Sequence, residues 1–351
     1  MKTTFTTLFT SLLLLYTLAA QAQVIRRCNN VGVTGTNIYA TLQAAHDASA
    51  ANDIIYLEPS SISYGPLVCV RPLTIIGNGY FLTQNPGLQL DTRESITDAV
   101  TFANGSAGSR ITGCRLNGSA SIGASNITVE RNYFNTSYCY IGYNPSVGSV
   151  GVSNIIVRQN FIDNGYDVYL YPGSTAATAV SNVNIINNII TGNITTPTGQ
   201  FTRLSNILIT NNVIGNLTGS SSYRIDVDNA VIKNNILTYT GTGNNFTPRN
   251  NAYSNNISGN TAFGTANGNQ QNVAPTAMFV GGTGSTDGAF VLRAAPNPAI
   301  GTGESGTNVG AFGGVNPYRL SGIPNVPTIY QYNQSVTGNT LNATISTRSN
   351  N

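Results

Sequence analysis

Charged side chains are scarce in this chain of 351 residues: aspartate, glutamate, lysine and arginine make up 8% of it, against about 25% in an average soluble domain. The net charge is +3, with two lysines, which excludes a protein that tracks nucleic-acid phosphates, so we expect no nucleic-acid partner. Tryptophan is absent, and there is one histidine. The 40% of hydrophobic residues also excludes a disordered charged tail.

Neutral polar residues take the place of the missing charges. The chain has 37 glycines and 46 asparagines and is dense in isoleucine, valine and threonine. β-Branched residues favour strands, while glycine and asparagine favour tight turns. The composition therefore predicts an all-β protein with many turns.

The start of the chain has the pattern of a signal peptide. Lys2 gives a positive start, residues 8–20 are apolar, and Ala20-Gln21-Ala22 is a small-x-small cleavage site. The apolar stretch is too short to span a bilayer, which needs about 20 residues. We expect cleavage after residue 22, a secreted or cell-surface-associated protein, and no transmembrane segment after cleavage.

The four cysteines, at positions 28, 69, 114 and 139, allow three disulfide pairings in an oxidising compartment. A Cys28–Cys69 disulfide would tie down the N-terminal region. Buried free thiols are the alternative for Cys114 and Cys139. Their spacing matches no zinc motif, so no metal site is predicted from them.

A repeat runs through the middle of the chain. Its copies read SNITVERNYF, SNIIVRQNFI, SNVNIINNII, SNILITNNVI and DNAVIKNNIL, with a looser sixth copy at residues 249–258. One asparagine column contains Asn132, Asn160, Asn188, Asn212, Asn235 and Asn256. A second column, six residues upstream, contains Asn126, Asn154, Asn182, Asn206, Asn229 and Asn250.

Between the two columns, apolar residues alternate with mostly polar ones, which is the period of a strand with one buried face. We expect the later asparagine to form a tight turn, since asparagine tolerates the left-handed backbone conformation. If each copy is one coil, these side chains stack about 4.8 Å apart and hydrogen-bond along the stack. Two asparagine columns in phase favour a solenoid over a β-sandwich.

This pattern resembles the right-handed parallel β-helix proteins of the pectin-lyase-like superfamily, over about residues 53–260. The resemblance implies that substrate lies along the outer face of one parallel sheet. The motif sets of polygalacturonase-like, pectin methylesterase-like and pectate-lyase-like enzymes are not present, so the resemblance implies a fold and no particular reaction.

Four segments follow from this interpretation: a signal peptide at 1–22, an N-terminal cap and first strands at 23–72, β-helix repeats at 73–260, and C-terminal coils, loops and a cap at 261–351. A short cap helix is expected to start after Thr41, a good N-cap residue. His46 in that helix is expected to be a surface or capping residue. Residues 324–351 are expected to cap the C-terminal end, and the protein to be a monomer.

Three strands after the asparagine turn carry the candidate site: residues 138–143, 167–171 and 223–228. Alternation buries Cys139, Ile141, Val168, Leu170, Ile225 and Val227. It places outward the tyrosines Tyr138, Tyr140, Tyr169 and Tyr171 and the charged residues Asp167, Arg224, Asp226 and Asp228.

Tyrosine faces stack on sugar rings, while carboxylates and arginine bond hydroxyl or uronate groups. The tyrosines are thus predicted to bind an extracellular polysaccharide. As catalytic groups, the four charged residues would serve a glycoside hydrolase through two carboxylates or a polysaccharide lyase with calcium held by the acids. The alternatives are a solvated surface on which Arg224 pairs with Asp226 or Asp228, and a non-catalytic surface-structural or adhesion protein whose tyrosine face meets a cell-surface partner.

Overall fold

A computed structural model of the chain describes residues 23–197, 199, 203–243, 245–282 and 284–350. The predicted signal peptide at 1–22 lies outside the described residues. Parallel strands stack into three long sheets of eleven, eight and seven strands. We call these sheets 1, 2 and 3, and the chain passes through them in that order on each turn. The parallel β-helix predicted from the sequence is confirmed.

Each sheet is a stack of short strands that neighbour one another in the following order. Sheet 1 contains β2 (Ile38–Tyr39), β1 (Ile25–Cys28), β3 (Ile54–Leu57), β5 (Thr74–Ile76), β8 (Arg110–Thr112), β11 (Thr128–Glu130), β16 (Val152–Arg158), β19 (Val180–Ile186), β22 (Leu204–Thr210), β25 (Ala230–Lys233) and β27 (Ala252–Ser254). Sheet 2 contains β28 (Ile257–Ser258), β26 (Ile236–Leu237), β23 (Val213–Ile214), β20 (Ile189–Ile190), β17 (Phe161–Ile162), β12 (Tyr133–Phe134), β9 (Arg115–Leu116) and β6 (Ile96–Thr97). Sheet 3 contains β24 (Ile225–Asp226), β21 (Ile194–Thr195), β18 (Val168–Leu170), β13 (Cys139–Ile141), β10 (Ala120–Ile122), β7 (Val100–Phe102) and β4 (Leu67–Cys69).

Two antiparallel hairpins and short helices complete the described structure. The hairpins are β14 (Tyr143–Asn144) with β15 (Gly148–Ser149), and β29 (Thr328–Thr337) with β30 (Thr340–Arg348). The α-helices are α1 (Leu42–Ala48) and α2 (Pro275–Met278). Short 3-10 turns occur at Ala176–Thr178, Ala266–Gly268, Gly288–Phe290, Glu304–Gly306 and Leu320–Gly322. Across the described ranges, no helix has both the length and the apolar character needed to cross a membrane.

Helix α1 begins as the sequence predicts, because the Thr41 side chain accepts a hydrogen bond from the Ala44 N–H at 3.2 Å. His46 is not a surface residue: it is 1% exposed. Its Nε2 accepts the Val70 N–H at 3.1 Å, which ties α1 to the coil beneath it. All four cysteines are buried free thiols, so the Cys28–Cys69 disulfide is not formed.

A row of buried asparagines joins successive coils on the inside. We call it the asparagine row: Asn132, Asn160, Asn188, Asn212, Asn235, Asn256 and Asn269. The backbone N–H and the Nδ2 of Asn160, for example, both donate to Oδ1 of Asn188, at 2.9 and 3.0 Å. The same Nδ2 donates to the Val129 carbonyl of the coil on the other side, at 2.9 Å. Each amide is thereby satisfied in an apolar interior, where an unpaired one would be costly.

The left-handed turn residue is the one before each row asparagine, and the sequence-based placement of that turn was wrong by one position. Before the first six row asparagines these residues have φ between 53° and 57°, and Gly268, before Asn269, has φ 73°. The six are Arg131, Gln159, Asn187, Asn211, Asn234 and Asn255. The row asparagine is held inside the coil by its hydrogen bonds to both neighbours, so the strain of the corner falls on the residue that precedes it.

The C-terminal segment covers the outer face of sheet 2. From β12 to β28 the outward column of that sheet is apolar and buried: Tyr133, Phe161, Ile189, Val213, Ile236 and Ile257. Residues between 278 and 318 pack on it and form a second hydrophobic core, which includes Met278, Phe290 and Val309. These six strands of sheet 2 are therefore buried on both faces, whereas Arg115 and Ile96, which continue the column, are partly exposed.

This segment runs back along the solenoid from its last coils to its first. Asn211 Nδ2 donates to the Asn308 carbonyl at 3.1 Å, and Gln159 Nε2 to the Pro317 carbonyl at 2.7 Å. Farther on, the Leu90 N–H donates to the Ile329 carbonyl at 2.8 Å. The prediction that residues 324–351 cap the C-terminal end was wrong, because the returning segment delivers them to the N-terminal coils.

Candidate functional site

Six tyrosines form a contiguous surface on the outside of sheet 3. We call it the tyrosine surface: Tyr138, Tyr140, Tyr143, Tyr166, Tyr169 and Tyr171. The ring centroids of Tyr140 and Tyr169 are 5.7 Å apart, and those of Tyr143 and Tyr171 are 5.0 Å apart. All six side chains are half-buried, so they support one another and still present ring area to solvent.

Strand register places these rings. The central outward column of sheet 3 runs Val68, Thr101, Ser121, Tyr140, Tyr169, Thr195 and Asp226. The alternate residues, such as Cys139 and Leu170, face inward and are fully buried, as the alternation predicts. The four tyrosines predicted to face outward, at positions 138, 140, 169 and 171, all lie on the tyrosine surface.

A groove of about 380 Å³ lies where this column changes from small to large side chains, between Ser121 and Tyr140. Small residues form its floor and aromatic residues form its wall. It is lined by Ala99, Thr101, Ser119, Ser121, Tyr140, Tyr143, Pro145 and Tyr171. None of these eight side chains carries a formal charge.

The β14–β15 hairpin supplies one side of the groove and was missed from the sequence. Gly142 has φ +83, and a Cβ there would lie 2.5 Å from Cγ2 of Val180. The glycine therefore lets the chain leave β13 outward, which brings Tyr143 and Pro145 beside Tyr140. The sequence feature that could have indicated this hairpin is Gly142, which interrupts the alternation just before Tyr143.

Partial burial raises the pKa of two tyrosines on this surface. It raises the pKa of Tyr140 to about 12, and the neighbouring tyrosines Tyr138, Tyr169 and Tyr143 add to the effect. The pKa of Tyr169 is also raised, first by burial and then by Asp167. At physiological pH these phenols are hydrogen-bond donors and acceptors without charge.

Asp167 lies in the outward register of sheet 3, next to the inward Val168, but neighbouring groups cover it, and it is 6% exposed. Its Oδ1 accepts the N–H of Asn193 at 2.7 Å and Asn193 Nδ2 at 2.8 Å. Oδ1 of Asn193 in turn accepts the Arg224 N–H at 2.9 Å. Burial raises the pKa of Asp167, while the bonds from Asn193 and the charge of Arg224 oppose that rise. Asp167 is thus part of a polar column that links three coils.

The other two acids are also engaged. Asp226 forms an ion pair with Arg249, whereas the sequence had suggested Arg224 as its partner. Asp228 is also largely covered, and 7% of it is exposed. It accepts the N–H groups of Asn229 and Asn250 at 2.8 and 3.1 Å, which holds the corner between sheets 3 and 1.

The four predicted catalytic residues do not gather in the groove. Asp167 and Arg224 share one position along the strands, while Asp226 lies two residues farther on and two coils above Asp167. These offsets separate the Cα atoms of the two aspartates by about 12 Å. Among the described residues, no three His, Cys, Asp or Glu side chains are grouped so as to hold a metal ion.

No protein-family model matches this chain, and no curated protein or solved structure matches it either. Its function is therefore inferred from the geometry of the tyrosine surface and its groove.

Proposed function

We propose that this chain is a secreted β-helix protein of the pectin-lyase-like type that binds a neutral extracellular polysaccharide in the groove beside Tyr140. The observation that carries the proposal is the groove itself, with an aromatic wall and a hydroxyl-bearing floor on the open face of a rigid parallel sheet. The predicted signal peptide supports an extracellular location, and the stacked coils with their asparagine row support the family.

The chemistry of the lining suits a sugar ring. The C–H face of a pyranose packs on an aromatic ring, and phenol and alcohol groups bond its hydroxyls. Tyr140 and Tyr171 supply the rings, while Thr101 and Ser121 on the floor supply hydroxyls. Neighbouring strands are about 4.8 Å apart, so an extended polymer that lies along the stack would meet Tyr140 and then Tyr169.

The absence of charge among the eight lining residues favours a neutral sugar over a uronate. A uronate would bring a carboxylate to a groove whose lining has no cationic side chain. Arginine is the residue that best pairs a carboxylate, and Arg224 belongs to the column of Asp167, outside the groove lining.

We propose binding without cleavage as the primary activity. Asp167, Asp226 and Asp228 each accept hydrogen bonds or an ion pair within the fold, which leaves them poorly placed as a general acid and base. This arrangement also fits the second candidate, a surface-structural or adhesion protein whose tyrosine surface contacts another protein.

Isothermal titration calorimetry with the mature chain tests the proposal. The neutral ligands are xylan, β-glucan and galactomannan oligosaccharides, and the acidic ones are oligogalacturonate and alginate. We expect one neutral class to bind, and Tyr140→Ala to weaken its binding about tenfold or more, since an aromatic contact contributes about 0.5–1.5 kcal/mol beyond area burial. Incubation of the bound glycan, followed by reducing-end analysis, reports any cleavage.

Tyr239→Ala is the matched control, because Tyr239 is half-buried and its hydroxyl bonds its own loop, at Thr242. Its glycan affinity should equal that of the wild type. Binding only to acidic glycans, or equal loss in both variants, would refute the groove assignment. The adhesion function would be favoured if no glycan bound and if the wild type captured an envelope protein that the Tyr140→Ala variant did not capture.

A further inference from the structure

A cavity of about 510 Å³ lies where three parts of the chain meet, and it is larger than the groove beside Tyr140. The end of β30, the returning C-terminal segment and the loop between β5 and β6 each form part of its wall. Its volume falls within the range of small-molecule sites, about 300–1,000 Å³. We call it the junction cavity.

The lining of the junction cavity combines an apolar wall with positive charge. Arg319 and Arg348 supply the charge, and no described lining residue is an aspartate or a glutamate. Tyr318 also lines the cavity, and its ring centroid lies 5.4 Å from that of Phe312. The apolar wall consists of Leu88, Val291, Phe312, Leu320 and Ile323.

Arg348 has a donor that no described residue uses. Its Nη2 donates to the Leu88 carbonyl at 2.5 Å, and its guanidinium carbon lies 5.3 Å from the centroid of the Tyr330 ring. Its Nε is buried and has no hydrogen-bond partner in the part of the chain that the structure describes. A buried donor on a charged group is costly when it is left unpaired. A carboxylate that accepts from Nε and from one Nη would pair this donor and match the fork of the guanidinium.

A further arginine lies behind the cavity wall. Arg131 is 5% exposed, and its Nη1 donates to the carbonyls of two lining residues, Ile323 at 2.8 Å and Asn350 at 3.5 Å. Burial lowers the pKa of Arg131 to about 10; Glu130 opposes this shift, and the charge of Arg319 adds to it. Positive charge therefore accumulates at this junction.

The acids in contact with these elements already have partners. Asp287 is 0% exposed and accepts the Tyr318 hydroxyl at 3.2 Å and the Ser321 N–H at 2.7 Å. Glu130 forms ion pairs with two arginines of sheet 1. Neither acid lines the cavity, so the charge of the lining itself is positive.

We propose that the junction cavity binds a small organic carboxylate, with its anionic group on Arg348 and its apolar body against Phe312 and Leu320. A neutral molecule would leave the buried Nε without a charged acceptor. An inorganic anion would leave the apolar wall uncovered. A ligand with one carboxylate and one apolar body uses both parts of the lining.

Such a ligand would contact the base of the β29–β30 hairpin, the returning segment and the first coils at once. Because it would bind the folded chain and not the unfolded one, it should raise the melting temperature. The junction cavity and the groove share no lining residue. The proposal therefore does not depend on glycan binding, and Tyr140→Ala should bind the carboxylate as the wild type does.

Calorimetric titration of the mature chain at neutral pH tests the proposal. The probes are octanoate and 3-phenylpropanoate, with 3-phenylpropan-1-ol as the neutral counterpart and inorganic phosphate as the anion without an apolar body. We expect the two carboxylates to bind with dissociation constants of about 1 mM or below. The alcohol and phosphate should each bind at least tenfold more weakly.

Arg348→Met should weaken binding of 3-phenylpropanoate at least tenfold, and Arg348→Lys should recover only part of the loss, because lysine lacks the fork. Arg203→Met is the matched control, since Arg203 is exposed and lies outside the cavity lining. It removes the same charge and should leave the affinity unchanged. Melting curves without ligand show whether each variant is folded.

Methyl NMR of the wild type locates the ligand without any substitution. Added 3-phenylpropanoate should shift the methyl signals of Leu88, Leu320 and Ile323, and leave those of Ile156 and Leu208 on sheet 1 in place.

Four results would overturn the proposal: no carboxylate binding at millimolar concentration, equal binding of the alcohol, equal binding of phosphate, or equal loss in Arg348→Met and Arg203→Met. A fifth is binding by a chain extended with Gly-Ser-Gly-Ser after residue 351 and not by the wild type. The arginines would then serve the terminal carboxylate of the chain itself.

Discussion

The hydroxyls of Tyr80 and Tyr318 are 2.7 Å apart and buried, although 238 residues separate them in the chain. Tyr318 also donates to Oδ2 of Asp287 at 3.2 Å. The Ser321 N–H donates to the same carboxylate oxygen at 2.7 Å. This network fastens the returning C-terminal segment to the first coils of the solenoid.

Tyr318→Phe should destabilise the protein by about 1.5–3 kcal/mol, the typical contribution of a hydrogen bond to a charged group. The variant leaves the buried carboxylate of Asp287, which is 0% exposed, with one donor fewer. Urea unfolding followed by circular dichroism measures the change. Tyr239→Phe is the control, because the Tyr239 hydroxyl donates an exposed hydrogen bond to the Thr242 carbonyl within its own loop. It should change the free energy of unfolding by less than about 0.5 kcal/mol. Equal effects would contradict the anchoring role of Tyr318.

Asn188→Ala should be much more harmful than Asn182→Ala. Asn188 accepts two hydrogen bonds from Asn160 and donates to Asn212 and Val157. Its loss therefore leaves buried donors and acceptors on both neighbouring coils without a partner. We expect a loss of at least about 3 kcal/mol.

Asn182 is the matched control because it is exposed and has φ 52°. Alanine there loses the preference for the left-handed conformation and one exposed hydrogen bond, which Asn206 Nδ2 donates to Asn182 Oδ1 at 3.0 Å; together these cost about 1–2 kcal/mol. Differential scanning calorimetry of both variants gives the comparison. Similar melting temperatures would show that the asparagine row contributes little to stability.

Ser121→Tyr should block the groove while leaving the tyrosine surface in place. Ser121 is in register with Tyr140 on one side and Thr101 on the other, so a ring there covers the floor. We expect glycan affinity to fall at least tenfold, about 1.4 kcal/mol, measured by calorimetric titration, and a melting curve of the same variant shows whether it is folded at the titration temperature. Ser121→Ala, which keeps the space open, should retain most of the affinity; loss in both would assign binding to the Ser121 hydroxyl.

Stability should fall as the pH drops below about 4.5, and Glu130 should account for part of the loss. Burial opposes ionisation of this 0% exposed side chain, but Arg110 and Arg158 together hold the pKa of Glu130 below its usual value. A carboxyl with a lower pKa in the folded state stabilises the fold above its unfolded pKa and loses that contribution as pH falls.

Glu130→Gln should therefore cost about 3–5 kcal/mol at pH 7, because two arginines lose their partner, and should flatten the dependence on pH between 6 and 3 or so. Urea unfolding at a series of pH values measures both effects. Glu304→Gln is the control, since Glu304 is 52% exposed and forms its ion pair with Lys233 at the surface. A Glu130→Gln profile parallel to the wild type would contradict the prediction.

The solenoid could be predicted because its information is local and repeated. Each copy has its own alternation, as in Ile155 and Val157, and its own row asparagine, such as Asn160. The position of the left-handed corner was misjudged because arginine, glutamine and asparagine all occupy it, so that column did not stand out by residue type.

The repeat itself indicates that the outer face of sheet 2 is covered. The first five copies have two successive apolar residues after the row asparagine, as in Ile189-Ile190 and Val213-Ile214. A strand exposed on one face would alternate there, whereas two in succession indicate a sheet covered on both faces. The cover itself, residues 278–318, has no periodicity that would link it to sheet 2.

The candidate site also has some features that the sequence predicts and others that it does not. The outward tyrosines follow from alternation within one strand. The burial of Asp167 and Asp228 does not, because it is set by hydrogen bonds from Asn193 and Asn250 on neighbouring coils. The groove also depends on register between strands, since it arises where Ser121 meets Tyr140.

By itself, the sequence determined the coil: repeated short strands, their inward residues and the asparagines that hydrogen-bond from one coil to the next. These features depend on contacts between equivalent positions, which a repeat displays in its spacing. Only the tertiary structure decided which outer face is covered, where the groove opens and where the β29–β30 hairpin projects. Those outcomes depend on contacts between unlike segments, such as Tyr80 with Tyr318, and the free energy of such contacts leaves no periodic pattern in the chain.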